Sequence, residues 1–338
     1  MRVVVLGRVG IVVDGAHRDI GRAQTRAVLA LLALEVGTPI STEGIISALW
    51  GGTEPATARA QIQNAVSQLR RSFGEIGHPN AITSGRYGYL LTVPAGTVDL
   101  EEFDTLVRRA ADRVGAGADG RSASSRAGAD GRSASSRAGA DGRSASSRAE
   151  AARLLREALG LWRGEALADA TGAFVEAARA ALTERRLGAV EQLATVELDL
   201  DRAPTVVTDL MPLVAANPYR ESLRRLLMLA LHRCGRQAEA LESFRAYREL
   251  LADQQGLDPG AGISRLAVEI LQAGPDHPPT GPARPAPPEQ PVPAQLPADV
   301  AGFVGRRGHL EELNHIAGPG SGSGGRVVVV SGMGGIGK

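Results

Sequence analysis

The chain opens with two short β-type runs, Arg2–Leu6 and Val9–Val13, separated by Gly7-Arg8 and followed by the turn signal Asp14-Gly15. From Thr25 to Val36 the pattern becomes helical, with Val28, Leu31, Leu32 and Val36 recurring on one face. Thr38-Pro39 ends that helix. Ser41 or Thr42 can cap a second one, whose inner face is Ile45, Ile46, Leu49 and Trp50 and whose stop is Gly51-Gly52. A third helix is predicted over Thr57–Phe73, where Ile62, Val66, Leu69 and Phe73 are spaced 4, 3 and 4 and form one buried stripe. Ala81–Ser84 and Tyr87–Val93 then flank Gly85-Arg86 as a hairpin.

Residues 98–273 read as almost entirely helical. Helices are predicted at Phe103–Val114 and Glu150–Trp162. Val190, Leu193, Ala194, Glu197 and Leu198 form a further stripe, and Leu223, Leu226, Leu227, Ala230 and Leu231 another. Gly235, Ala240 and Phe244 fit the tetratricopeptide spacing of a turn glycine, a small contact residue and an aromatic one turn on. Stacked helix pairs of that kind suit protein contacts rather than chemistry.

One exact repeat interrupts this region. GADGRSASSRA occurs in tandem at 117–127, 128–138 and 139–149. Each copy holds two glycines and three serines and no large apolar residue, so it offers nothing to bury. The repeat is expected to be a disordered loop that leaves the core intact. Residues 274–300 hold ten of the 19 prolines, which exclude helix and sheet and imply an extended linker. The resulting division is 1–97, 98–273, 274–300 and 301–338.

Charge narrows the classes of function. The 338 residues carry a net charge of +1, so the chain as a whole is neither a polybasic nor an acidic tail. Residues 1–96 are more basic, with nine arginines and six acids. Lys338 is the one lysine, so arginine supplies 37 of the 38 basic side chains. The single cysteine, Cys234, excludes an internal disulfide framework and suits a reducing compartment. His232 and Cys234 lie close together, but two candidate ligands do not make a metal site. The longest smooth apolar run, Ala27–Leu34, is far shorter than the ~20 residues of a membrane span. Nor does an apolar signal segment open the chain. A soluble, cytoplasmic, non-enzymatic protein is expected.

The third helix carries the candidate chemistry. Its polar positions are Arg59, Gln61, Gln63, Asn64, Ser67, Gln68, Arg70 and Arg71, and Thr57–Phe73 contains no acid. Amide side chains can read adenine edges in a major groove, and arginine can read guanine or grip phosphate. Arg86, at the tip of the hairpin, is placed to contact the DNA backbone or minor groove. An amphipathic helix with only a structural role usually mixes both charge signs on its solvent face.

The order strand hairpin, three helices and wing resembles the OmpR/PhoB-type winged helix-turn-helix. The match is closer to the SARP activators (Streptomyces antibiotic regulatory proteins). Their third helix typically runs R-A-x-L-Q-x-x-V-S-R-L-R-R, and Arg59–Arg71 follows that pattern. Ala65 and Gln68 depart from it, where the family often has an aromatic residue and an arginine, and each change removes a potential DNA contact. Trp162-Arg163-Gly164-Glu165-Ala166-Leu167-Ala168-Asp169 resembles the L-W-R-G-x-x-L-A-D stretch of the bacterial transcriptional activation domain. Asn217–Glu221, Gly235–Leu241 and Gly256–Gly260 continue the likeness. The resemblance implies a mainly α protein with a small β component, a winged helix followed by an all-α, tetratricopeptide-like activation domain. It implies a sequence-specific transcriptional activator of secondary-metabolite (antibiotic) genes that binds promoter direct repeats, forms a homodimer on double-stranded DNA and recruits RNA polymerase. The rival readings are a fragment of an ATP-controlled STAND-type regulatory switch, in which nucleotide binding governs the DNA-binding half of a longer parent, and a pure protein-interaction adaptor.

The last segment has its own motif. Arg326–Ser331 reads as a buried strand and leads into Gly332-Met333-Gly334-Gly335-Ile336-Gly337-Lys338, a G-x-x-x-x-G-K phosphate-binding loop. Gly332, Gly335 and Gly337 would let backbone N–H groups wrap phosphates, and Lys338 would neutralise their charge. Phe303–Arg306 and Leu310–Leu313 resemble the entry to an NB-ARC/STAND NTPase domain. The motif lacks its final hydroxyl residue, so the sequence reads as a fragment, with ATP a cofactor only of a longer parent. Residues 301–338 are expected to be poorly ordered and to bind no nucleotide usefully.

Overall fold

The computed structural model describes residues 1–126 and 134–273, and side chains within them except those of 116–143. The fold is mainly helical with two small sheets, a winged-helix-like N-terminal region followed by a helical array. The P-loop residues Gly332, Gly335, Gly337 and Lys338 lie outside the described residues.

Strands β1 (Arg2–Val4), β2 (Gly10–Val13) and β3 (Ala16–Arg18) form an antiparallel sheet in that order, with Val3 opposite Ile11 and Val12 opposite His17. β3 was not predicted. Its three residues are all exposed, so no alternation of buried positions marked it. Helix α1 (Ala23–Leu34) buries Val28, Leu29, Leu31 and Leu32. Helix α2 (Thr42–Trp50) starts at Ser41, whose Oγ accepts the Gly44 N–H at 2.9 Å. It stops at Gly51, which takes the left-handed conformation at φ +60° and returns its N–H to Ser47. Helix α3 (Ala58–Glu75) buries Ile62, Val66, Leu69 and Phe73, the predicted stripe.

Strands β4 (Ile82–Gly85) and β5 (Gly88–Leu91) make the wing. Its two-residue turn is Arg86-Tyr87 rather than Gly85-Arg86, because Gly85 and Gly88 pair across it. β5 is itself anchored, since Tyr89 and Ile40 exchange two backbone hydrogen bonds of 2.8 and 2.9 Å. Gly88 allows that approach. Its φ is +124°, and a Cβ there would lie 1.9 Å from the Ile40 carbonyl oxygen. Tyr89 packs on the core, whereas Tyr87 is 72% exposed.

Helices α4 (Asp99–Arg126) and α5 (Ala134–Leu159) pack on each other and then on α6 (Val175–Asp199). Within the described parts of the repeat, α4 continues into the first copy and α5 begins in the second. Alanine and arginine are among the better helix formers, and extending an anchored helix avoids the cost of nucleation. The third copy also has something to bury. Ser144 is 5% exposed and its Oγ accepts from Arg148 at 2.8 Å, while Arg148 pairs with Asp199 at 3.2 Å.

Helices α7 (Ala203–Ala216), α8 (Glu221–Arg233), α9 (Gln237–Gln255) and α10 (Ala261–Gln272) complete the array. They surround a core of Leu210, Leu223, Leu227, Met228, Leu231 and Ile263. Gly235 makes the left-handed turn between α8 and α9, Ala240 is fully buried and Phe244 packs beside it. Glu197, on the predicted stripe of α6, is 2% exposed and is held by Arg156 and Arg202.

The first core does not stop at residue 97. It runs from Val3 through Phe103, Leu154 and Leu167 to Val196. At its centre Asp99, 2% exposed, accepts the Val5 N–H at 2.9 Å and the Leu6 N–H at 3.0 Å. Burial pushes this carboxyl up to about 6, outweighing the backbone donors and Arg2, which favour its charged form.

Candidate nucleic-acid interface

Helix α3 turns its apolar stripe inward and leaves a polar face outward. Gln63, Asn64, Ser67 and Arg71 are exposed and follow one another at the spacing of a single helix face. The side chains of Gln63, Asn64 and Arg71 form no hydrogen bond or ion pair among the described residues. The Ser67 hydroxyl donates to the Gln63 carbonyl oxygen at 2.8 Å. Arg86 stands exposed at the wing tip beside Tyr87. A surface of amides, a hydroxyl and guanidinium groups can donate to and accept from base edges and bind phosphate. The one acid of α3 is Glu75, at its last position.

The other predicted residues are engaged within the protein. Gln68 is half-buried, and its Oε1 accepts from the Thr25 hydroxyl of α1 at 3.1 Å. Arg70 is half-buried, and its Nε donates to the Ile82 carbonyl oxygen at 2.9 Å. Gln61 donates to the Thr57 hydroxyl at 2.9 Å. Arg59 pairs with Glu43 at 2.5 Å, both well exposed. The Glu43 carboxyl is held below the usual carboxylate range, first by a backbone N–H at the start of α2 and then by Arg59. Glu43 went unread in the sequence because its partner lies 16 residues away on another helix.

A second layer braces the segment after β1, and α2, in the winged-helix region, and sequence reasoning missed its role. The loop from Trp162 to Phe174 crosses the winged-helix region. Arg163, Leu167 and Ala168 donate their N–H groups to the carbonyl oxygens of Leu6, Val5 and Gly7 at 2.9, 3.0 and 3.1 Å. Ala173 and Phe174 donate to Leu49 and Ala48 at 3.1 and 2.9 Å, satisfying carbonyls at the end of α2. The L-W-R-G-x-x-L-A-D signal was visible, but its partners were not.

Among the described residues no group of three or more potential metal ligands occurs, and no helix is long and apolar enough to cross a membrane. Cys234 is half-buried, and that burial pushes its thiol up.

A mainly helical array behind a winged-helix-like head defines the architecture of a bacterial transcriptional regulator, and the comparisons agree. Residues 132–271 match the family model of the bacterial transcriptional activator domain. The regulatory protein AfsR of Streptomyces coelicolor is 37% identical over 345 residues, covering 100% of this chain and 31% of AfsR. The regulatory protein DnrI of Streptomyces peucetius is 32% identical over 269 residues, covering 77% of this chain and 88% of DnrI. A solved structure of Mycobacterium tuberculosis EmbR, in complex with a low-affinity phosphopeptide, superposes with a TM-score of 0.68 at 32% identity. It covers 80% of this chain and 65% of that one. The chain thus spans about a third of the length of AfsR. The chain belongs to the SARP family of transcriptional regulators.

Proposed function

We propose that this chain is a sequence-specific DNA-binding transcriptional activator. In this reading α3 enters the major groove of promoter DNA with Gln63, Asn64, Ser67 and Arg71, and the wing lays Arg86 on the backbone or in the minor groove. The observation that carries the reading is the outward face of α3, exposed and free of acids from Ala58 to Gly74. Gln68 and Arg70 then serve chiefly to hold the surface, since each has a part-buried partner within the protein, whereas the exposed pairings of Arg59 and Gln61 contribute little and leave both able to reach DNA. The helical array supports dimerisation on direct repeats and contacts RNA polymerase, and the regulated genes are those of secondary metabolism. Family membership and the likeness to DnrI and AfsR support this part.

The test is fluorescence anisotropy of the chain on a promoter duplex containing a direct repeat, with a scrambled duplex as control, at several salt concentrations. Tight, repeat-dependent binding that weakens with salt supports the reading. Equal or absent binding to both duplexes favours the adaptor alternative. A second reading, nucleotide control of the same winged helix in a longer protein, draws support from the AfsR similarity. That similarity covers 100% of the chain and so extends through Gly332–Lys338. A coding frame that continues past Lys338 into an NTPase domain supports it, and an immediate stop removes it.

A further inference from the structure

We propose that Asp169, a residue of the helical array, is a positioning residue for DNA recognition that sets the recognition helix through Arg26, Gly21 and Gln68. This rests on the DNA-binding reading above.

Asp169 lies within the loop between α5 and α6, and its carboxylate reaches into the winged-helix region. Its Oδ1 accepts the Val9 N–H at 2.8 Å, and its Oδ2 receives Arg8 at 3.0 Å and Arg26 at 3.1 Å. The two arginines differ. Arg8 is 72% exposed and contributes little, as surface pairs do, whereas the Arg26 side chain is only 20% exposed. Arg26 lies in the first turn of α1. Besides the carboxylate it reaches the Asp169 carbonyl oxygen at 3.3 Å and, through Nη1, the Gly21 carbonyl oxygen at 2.5 Å.

Gly21 and α1 in turn hold α3. The backbone of Gly21, at φ +94°, passes so close to the Gln68 amide that a Cβ on Gly21 would lie 2.0 Å from Nε2. On its other side Gln68 accepts from Thr25, which is 3% exposed. The amide is therefore wedged between two points that Arg26 and Asp169 hold in place. Gln68 stands one turn from both Asn64 and Arg71 on α3. Its position sets how far that face is rotated about the helix axis.

The loop is built to hold its place. Leu167, two residues before Asp169, is fully buried in a left-handed conformation at φ +56°. A branched side chain accepts that strained conformation only where packing and hydrogen bonds over-determine it. Here the Leu167 N–H is fixed to Val5 and the neighbouring Ala168 N–H to Gly7. The helical array therefore acts as a frame for the recognition helix, through Arg26 and Gly21.

The test uses the full chain and a duplex that the wild-type chain enriches from a random library, with a scrambled duplex of the same composition. Asp169→Asn keeps an acceptor for Val9 and removes the charge that holds Arg26. The expected result is a fall of at least tenfold in the ratio of enriched to scrambled affinity. Binding to the scrambled duplex should change less than about twofold with its salt slope kept, because Arg71 and Arg86 are untouched. Arg26→Gln should reproduce this signature, and the double variant should be no worse than the worse single, since both act through one path. Gly21→Ala perturbs the same path from its other end and serves if Asp169→Asn does not fold. An unchanged ratio in the variants overturns the proposal, and so does an equal loss on both duplexes accompanied by a lowered melting temperature, which marks a merely structural role. If the wild-type chain enriches no sequence, the DNA-binding reading itself fails before any variant is compared.

Discussion

Arg70 donates through Nε to the Ile82 carbonyl oxygen at 2.9 Å, so a residue of α3 holds the first strand of the wing. Its neighbour Arg71 is exposed and makes no such bond among the described residues. The two arginines should therefore behave differently. Arg71→Ala should weaken binding to all duplexes alike and reduce the salt slope by about one unit, the signature of a lost phosphate contact. Arg70→Ala should leave the slope nearly unchanged and cost about 1–3 kcal/mol of stability, the value of a hydrogen bond from a charged donor. Anisotropy at a series of salt concentrations, paired with urea unfolding, separates them. A slope that drops equally in both variants would return Arg70 to the phosphate-binding set.

Gln63 and Asn64 stand on the outward face with side chains free among the described residues. Gln63→Ala or Asn64→Ala should change which base is preferred at one or two positions, at about 1–3 kcal/mol per lost bidentate contact. Selection from a random library with each variant reads this directly. A uniform loss across all sequences would argue for a backbone contact instead.

Gly88 lets β5 pass against Ile40. Gly88→Ala would place a Cβ 1.9 Å from the Ile40 carbonyl oxygen on a backbone at φ +124°. Backbone strain of that kind alone costs about 1–3 kcal/mol, and the overlap adds to it. A lowered urea midpoint and a displaced wing are expected. Gly85→Ala, where a Cβ meets nothing within 4 Å, is the control.

Asp99 makes stability depend on pH. Its folded-state carboxyl titrates at about 6, above the ordinary 3.8, so between those values the folded protein holds a proton that the unfolded chain has lost. Its contribution therefore rises on acidification through that window and is lost as pH increases through 6, with a slope of up to about 1.4 kcal/mol per pH unit. Asp99→Asn removes the titration and keeps an acceptor for Val5. The melting temperature of the wild type relative to Asp99→Asn should climb as pH falls from 7.5 to 5. A constant gap would mean that the backbone donors, not burial, dominate this carboxyl.

Local pattern was enough for much of this protein. Ile62, Val66, Leu69 and Phe73 repeat within one helix, so their spacing alone declares both the helix and its buried face. The cap at Ser41, the stop at Gly51 and the turn at Gly235 are equally local, because each acts on backbone groups within a few residues. The polar face of α3 was legible for the same reason, and so was the family motif ending at Asp169. What the sequence could not decide is which polar side chains remain free. Gln68 and Arg70 look like Gln63 and Arg71 in composition, yet Thr25 lies 43 residues from Gln68 and Ile82 lies 12 residues from Arg70. Only the packing of α1 and the wing on α3 brings those partners into reach. The repeat's composition offers no buried face, while the helices on either side, rooted in a core shared with the winged-helix region, extend into its described parts. Asp169 shows the limit most plainly. Its motif was visible as text, but its partners, Val9 and Arg26, lie about 160 and 143 residues away, and only the tertiary fold brings it to the winged-helix region.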